Sequence, residues 1–187
     1  SGKIFTICEF PNTWPKDIIK NLKIGFNPRL FTNIALVRYF SNSCELVPIC
    51  KNIFQNKNTR FKAQNSFFQI NNNKVGEKPN SKIKRVLKFL KRKNINHLFI
   101  SASENVCWLL NIRGKDLPNS PIANCQVILS SNGKINFFSD KEKIKKIKNN
   151  FDRIKIRFYE KDKIFDILNS IKKGTFCIDQ QTCSIFY

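Results

Sequence analysis

Residues Glu104 to Ile122 read ENVCWLLNIRGKDLPNSPI: a compact apolar block with a tryptophan, then Arg113-Gly114, then Pro118 and Pro121 bracketing Asn119-Ser120. The block SENVCWLLN predicts a short helix, with Ser103 placed to cap it. Trp108, Leu109 and Leu110 read as a core plug. Gly114 permits a turn that a side chain would block, and the two prolines stiffen the loop beyond it. Arg113 either points to solvent or pairs with Asp116. A stiff loop carrying Arg and Asp is suited to a domain edge, where it can form a wall of a site on a neighbouring domain.

The segments on either side set the fold class. Upstream, HLFISA reads as a buried strand. Before it, NSKIKRVLKFLKRKN places Ile83, Val86, Leu87 and Leu90 at i, i+3, i+4 and i+7, one apolar stripe on a helix capped by Asn80 or Ser81. Most of that helix's lysines and arginines fall on the opposite, solvated face. Downstream, QVILS and KINFF flank Ser131-Asn132-Gly133, a strong hairpin signal. KEKIKKIKNNF predicts a basic amphipathic helix. In IKIRFYE, Ile154, Ile156 and Phe158 alternate with Lys155, Arg157 and Tyr159, the period of a half-buried strand. DKIFDILNSIKKG predicts a helix with Gly174 as its C-terminal cap, and TFCID a last strand. Strands alternating with helices, plus one hairpin, predict an α/β fold: a mixed β-sheet flanked by helices.

The N-terminal part is less regular. KIFTICE, residues 3 to 9, alternates well enough for a strand, and Pro15 opens a helix in PKDIIKNL. KIGF predicts a short strand, NPR a turn, LFTNIALVRYF a helix and CELVPIC a strand at a sheet edge, because Pro48 cannot donate to a ladder. These elements are too few to close a sheet. The expected organisation is therefore the C-terminal part of a first domain over 1–58, a linker over 59–79 that includes the loop QINNNKVGEKPN, and a second, nearly complete domain over 80–187.

Composition bounds the function. The chain has 187 residues, 41% of them hydrophobic, enough for a core. Its net charge of +21 points toward polyanions. That charge is spread along the chain, and Lys comes with abundant Asn, Ile and Phe, the residues an AT-rich coding sequence over-produces; such a bias can raise the charge without any polyanion partner. No basic segment precedes a long apolar one at the N-terminus, and no apolar run approaches about 18 residues. Neither secretion nor a membrane span is expected. Seven cysteines, an odd number without a Cys-x-x-Cys pair, suit reduced thiols, so a cytoplasmic location is expected. The chain has no Met and opens on Ser-Gly-Lys, which reads as a piece of a longer protein.

Few residues invite chemistry. His97 is the only histidine and has no carboxylate at ligand spacing, so it reads as structural. A two-metal hydrolase site needs several His and carboxylate ligands in one cavity, and none is legible. Cys107, Cys125, Cys177 and Cys183 sit among apolar neighbours and read as small core residues. The glycines are too dispersed to form a phosphate loop, and the basic helices lack the interleaved aromatics of a stacking platform.

WLLNIRGKDLPNSPI closely resembles the segment of the three-domain Xaa-Pro aminopeptidases (aminopeptidase P) that runs from an acidic pair through Trp-Leu-Leu-Asn-Ile-Arg-Gly to Asp, Pro and Asn-Pro. IGFNPRLFT resembles the Ile-Gly-Tyr-Asp-Pro segment of that family's first domain, NIFQNKN its helix ending in Trp and Asp-Arg-Pro, and CIDQQTCSIFY its Asp-Pro-x-Thr strand end. Here the acidic pair is Glu104-Asn105, the Asp of Asp-Pro is Asn27, the Pro of Asp-Arg-Pro is missing near Thr59, and the Pro of Asp-Pro is Gln180. The resemblance implies two creatinase-like N-terminal domains, with the metal-binding catalytic domain absent from this chain. That domain would hold two manganese ions on two Asp, one His and two Glu.

The resemblance thus implies a non-catalytic, creatinase-like segment of a cytosolic Xaa-Pro metalloaminopeptidase, an enzyme that removes N-terminal residues preceding proline. The segment would have no catalytic residue and no cofactor or metal ligand of its own. Trp108, Asn111, Arg113 and Asp116 are the expected substrate-wall or interdomain contacts. Its partner would be the catalytic domain of the same enzyme, with peptide substrate met only indirectly and a homodimer as a possible assembly. No membrane or nucleic-acid partner is expected. The competing readings are a basic module for RNA or acidic surfaces and a thiol enzyme pairing Cys107 with His97.

Overall fold

The computed structural model describes residues 4, 7–40, 43–50, 67–147, 151 and 154–187. The chain divides into two compact units, Ser1–Thr59 with Gln180–Tyr187 and Arg60–Asp179. The segment Gln180–Tyr187 thus groups with the first unit, whereas the sequence reading runs the second section through to residue 187.

The first unit contains helix α1 (Pro15–Ile18), strand β1 (Lys23–Phe26), helix α2 (Asn33–Phe40) and strand β2 (Glu45–Pro48). Strands β1 and β2 pair in parallel, from Lys23 opposite Glu45 to Phe26 opposite Pro48, with α2 as the crossover. Thr32 Oγ1 accepts from the N–H of Ala35 at the start of α2, satisfying one donor that a helix start leaves open. The C-terminal segment joins this unit through Ile185 N–H to Phe31 O and Phe186 N–H to Pro28 O, with the Arg29 guanidinium 3.6 Å above the Phe186 ring. The strand expected over residues 3 to 9 is not formed at the described Ile4 and Ile7–Glu9: Ile4 and Ile7 are exposed, so the alternating side chains face no sheet. The motif NIFQNKN, residues 52–58, and residues 59–66 of the expected linker lie outside the described residues.

The second unit follows the sequence pattern closely. Its elements are strand β3 (Phe68–Gln69), helix α3 (Pro79–Arg92), strand β4 (His97–Ile100), helix α4 (Ser103–Leu110) and strand β5 (Ile112–Arg113), then strand β6 (Gln126–Ser130), strand β7 (Ile135–Ser139), helix α5 (Lys141–Ile147), strand β8 (Ile156–Glu160), helix α6 (Ile164–Ser170) and strand β9 (Phe176–Ile178). Five strands form one sheet in the order β8-β7-β6-β4-β9. β4 and β6, and β6 and β7, are antiparallel; β7 and β8, and β4 and β9, are parallel. This is the mixed α/β fold that the alternation of periods predicts.

The core is built from Ile83 and Leu90 of α3, Val106, Leu109 and Leu110 of α4, and the inward residues of β6 and β7, with Val86 and Leu87 packed against it. Each fully buried aliphatic side chain contributes roughly 1.5–3 kcal/mol. The Asn-Gly signal is realised as a tight β6–β7 hairpin, with Gly133 at φ +88°.

Three local expectations differ. α3 starts one residue before Asn80, with Lys78 as N-cap and Pro79 as its first residue, because proline's fixed φ is preset for that position. Ser103 is the first residue of α4 and does not cap it; its hydroxyl donates to Cys125 O at 3.0 Å and accepts from Cys125 N–H at 3.2 Å. α6 stops at Ser170 with Ile171 as C-cap, and Gly174, at φ +101°, serves the turn into β9 instead. A Cβ on Gly174 would stand 2.7 Å from Asn96 Oδ1, the oxygen that accepts from Thr175 N–H.

Candidate functional site

Helix α4 ends where the sequence reading looked for a site. Asn111 takes the left-handed conformation, φ 53° and ψ 35°, closing the helix at low steric cost because a short amide tolerates that region. Its side chain is spent inward: Nδ2 donates to Glu77 O at 3.0 Å, and Oδ1 accepts from Lys82 Nζ at 2.5 Å. Lys82 also donates to the Trp108 carbonyl. One buried ammonium therefore latches α3 to the last turn of α4. Burial lowers the Lys82 pKa, and the cations of Arg113 and Arg85 add to that, while Glu77 opposes it.

The Trp108 carbonyl belongs to this latch, but its side chain does not. The expectation that it plugs the core fails: Leu109 and Leu110 are buried, but Trp108 is 49% exposed. Val106, Leu109 and Leu110 occupy one helical face at i, i+3 and i+4, and Trp108 falls on the opposite one. Lys82 Nζ lies 4.5 Å and Arg85 Cζ 5.7 Å from the indole centroid, and Arg85 is held by Glu77 at 2.8 Å. The result is an exposed aromatic ring flanked by two cations.

Arg113 follows neither sequence alternative. β5 pairs antiparallel with β3, Arg113 opposite Phe68. The guanidinium folds back so that Nη1 donates to Cys107 O at 3.1 Å and Ile112 O at 2.8 Å. Those carbonyls belong to the end of α4 and to β5, so Arg113 serves as a C-terminal cap for the helix.

Asp116 is set apart from the other three. Its side chain is 3% exposed, forms a short ion pair with Lys143 of α5, and accepts from Asn124 N–H at 2.7 Å. Asp140 supports Lys143 from 3.3 Å. The loop after Gly114 is closed by Gly114 N–H to Pro121 O and Asp116 N–H to Ile122 O. A Cβ on Gly114 would lie 2.7 Å from Ala123 Cα, so the predicted need for glycine holds. The exposed part of the loop is its tip, where Leu117 bridges Ser120 and Asn119 adopts φ 59°.

Cys107 and Cys125 meet below the same loop. Cys125 Sγ donates to Ala123 O at 3.2 Å, and Cys107 Sγ accepts from Ala123 N–H at 3.3 Å. A hydrogen bond from Cys125 pulls the Cys107 pKa down to about 7, against the upward push of its burial; Cys125 itself is raised, first by burial. His97 is engaged elsewhere, with Nδ1 3.1 Å from Ser130 Oγ and its ring stacked on Phe176. Burial lowers its pKa, and Lys134 adds to this. The two members of the thiol-enzyme pair thus have separate partners.

The described residues do not fit a two-metal centre. The only histidine is committed to Ser130, and no group of three or more His, Cys, Asp or Glu is arranged to hold a metal. Among the described residues, no helix is long and apolar enough to cross a membrane. Sequence reasoning missed Lys82 and Lys143, which it did not single out from the other basic residues of their helices. The signal was present: Lys82 shares the i, i+4, i+8 row with Val86 and Leu90, and Lys143 stands four before Ile147.

The model of the creatinase/prolidase N-terminal domain family matches residues 59–187. Xaa-Pro aminopeptidase 1 of Dictyostelium discoideum is 28% identical over 81 residues, 43% of this chain and 13% of that protein. A probable Xaa-Pro aminopeptidase P of Coprinopsis cinerea is 23% identical over 167 residues, 85% of this chain and 26% of that protein. The chain therefore spans about a quarter or less of the length of these curated relatives. The crystal structure of the Caenorhabditis elegans X-prolyl aminopeptidase, described as a cytosolic enzyme with a di-nuclear active site, superposes with a TM-score of 0.71 at 23% identity over 81% of this chain and 26% of that one. That likeness is one of fold.

Proposed function

We propose that this chain, which belongs to the creatinase/prolidase N-terminal domain family, is a non-catalytic covering segment of an Xaa-Pro metalloaminopeptidase that removes N-terminal residues preceding proline. Residues 1–58 correspond in this reading to the end of a first creatinase-like domain and 80–187 to most of a second, joined through 59–79. The partner is the catalytic domain, which supplies the metal pair, taken to be manganese; peptide is met only through that partner. The whole acts in the cytoplasm, in keeping with the cytosolic character given for the Caenorhabditis elegans neighbour.

The observation that carries the reading is the Trp108 indole, 49% exposed and flanked by the Lys82 and Arg85 cations, with Lys82 also bonded to the Trp108 backbone carbonyl. Tryptophan and arginine are enriched in binding hot spots, and a ring already flanked by cations on its own helix pair offers a large, ready contact face. Asn111 and Arg113 act through this arrangement, the first by closing the helix and the second by capping its carbonyls. Asp116 holds the loop. The covering role predicts that the purified 187-residue chain with Mn²⁺ does not turn over an Xaa-Pro tripeptide. Hydrolysis by the chain alone, proportional to its concentration and lost on chelation, would refute the reading.

A further inference from the structure

A cavity of about 770 Å³ opens on the second unit where α3, the β6–β7 hairpin and the start of β8 converge. That volume lies within the span of small-molecule sites, roughly 300–1,000 Å³. Its apolar wall is Ile83 of α3 with Ile154, two residues before β8, and Ile156, the first residue of β8. Lys84, Lys134, Lys155 and Arg157 line it from these three parts of the chain, all four exposed, and among the described residues no acidic side chain lines it.

Convergence on one cavity, not the lack of an ion pair alone, sets this group apart: among the described residues Lys88 and Lys172 also have no carboxylate within 4 Å, but they stand outside it. Lys23, Lys145 and Lys163 each have a carboxylate within 4 Å: Glu45, Glu142 and Asp166. Among the described residues, none of the four cavity cations has such an ion pair. Four like charges converging without a counter-ion repel one another, and an anion entering the cavity relieves that cost. Two amides add directional groups. Asn80 lies in the first turn of α3, at the positive end of its dipole. Asn132 uses Oδ1 to accept from Lys134 N–H, which leaves its amide NH₂ to donate.

An apolar wall beside unneutralised cations fits a ligand that joins a flat, weakly polar body to several negative charges. We propose that this cavity is a binding site for a nucleoside polyphosphate, with the phosphates on Lys134, Lys155 and Arg157 and the nucleoside against Ile83 and Ile156. The proposal is independent of the covering role, because the cavity residues are distinct from Trp108 and its supports.

The test is calorimetric titration of the 187-residue chain with ATP, inorganic triphosphate, adenosine and a single-stranded RNA oligomer. ATP is expected to bind more tightly than triphosphate or adenosine. The double variant Lys134→Ala/Arg157→Ala should weaken ATP about tenfold or more, the scale of losing charge-assisted hydrogen bonds. A second double variant, Lys88→Ala/Lys172→Ala, removes the same charge outside the cavity and should leave ATP affinity within about twofold. All substituted side chains are exposed, and circular dichroism checks that both variants fold. Absence of ATP binding, triphosphate binding as tightly as ATP, or equal losses in the two double variants would overturn the proposal. So would RNA binding that exceeds ATP binding and falls alike in both variants, since that behaviour marks general polyanion attraction.

Discussion

Two lysines of the second unit are buried, and they are buried differently. Lys143 on α5 meets a carboxylate, Asp116, in a nearly dry pair that ties the loop after Gly114 to the helix. Lys82 on α3 meets only neutral oxygens, the Trp108 carbonyl and the Asn111 amide, with Glu77 acting on it at longer range. The first arrangement cancels charge where it sits. The second leaves a positive charge under an exposed tryptophan, a costlier design unless a contact face is being shaped. The contrast separates a structural joint from a candidate recognition surface, although both lie within one short stretch of sequence.

The sharpest way to break the comparison is to remove a partner from each lysine. Asp116→Ala strands a buried ammonium with only half-exposed Asp140 beside it, and should cost about 3 kcal/mol or more in urea unfolding. Lys82→Met keeps the apolar stem and leaves two neutral acceptors unpaired, so it should cost less, about 1–3 kcal/mol. A larger loss at Lys82 than at Asp116 would reverse the assignment. The Lys82 arrangement can also be followed by pH. Because the folded-state pKa of Lys82 is depressed below 10.5, the unfolded chain binds its proton more tightly. Native stability relative to Lys82→Met should therefore rise as pH climbs from the depressed value toward 10.5.

Legibility in the sequence followed the same division. The stripe Ile83, Val86, Leu87 and Leu90, the Asn132-Gly133 hairpin and the alternation of Ile154, Ile156 and Phe158 were readable because each reports one period or one turn geometry. Trp108 was misread because its apolar neighbours suggested burial, whereas the angle per residue turns it away from Val106 and Leu110. Lys82 and Lys143 were missed because nothing separated them from the other charges of their helices except their rows, which point inward. Nor does a sequence say which carbonyls a guanidinium will find, so Arg113 ended on Cys107 and Ile112 instead of on Asp116.

The smallest effect expected belongs to His97, far simpler in its surroundings than either lysine. Its folded pKa is lowered from 6.5, so the unfolded chain takes up the proton first as pH falls. Stability should decline modestly as pH drops through 6.5 and below, and His97→Gln should remove that part of the decline. An unchanged profile in the variant would show that other groups carry the acid sensitivity.

The central claim is that the Trp108 face is a contact surface. Hydroxyl-radical footprinting read by mass spectrometry reports the exposure of that one ring. It would be applied to the chain alone and to the chain fused ahead of the remainder of the Coprinopsis cinerea relative. The account predicts strong oxidation of Trp108 in the isolated chain and marked protection in the fusion, with Leu117 at the loop tip as an internal comparison. Equal labelling of Trp108 in both would contradict it.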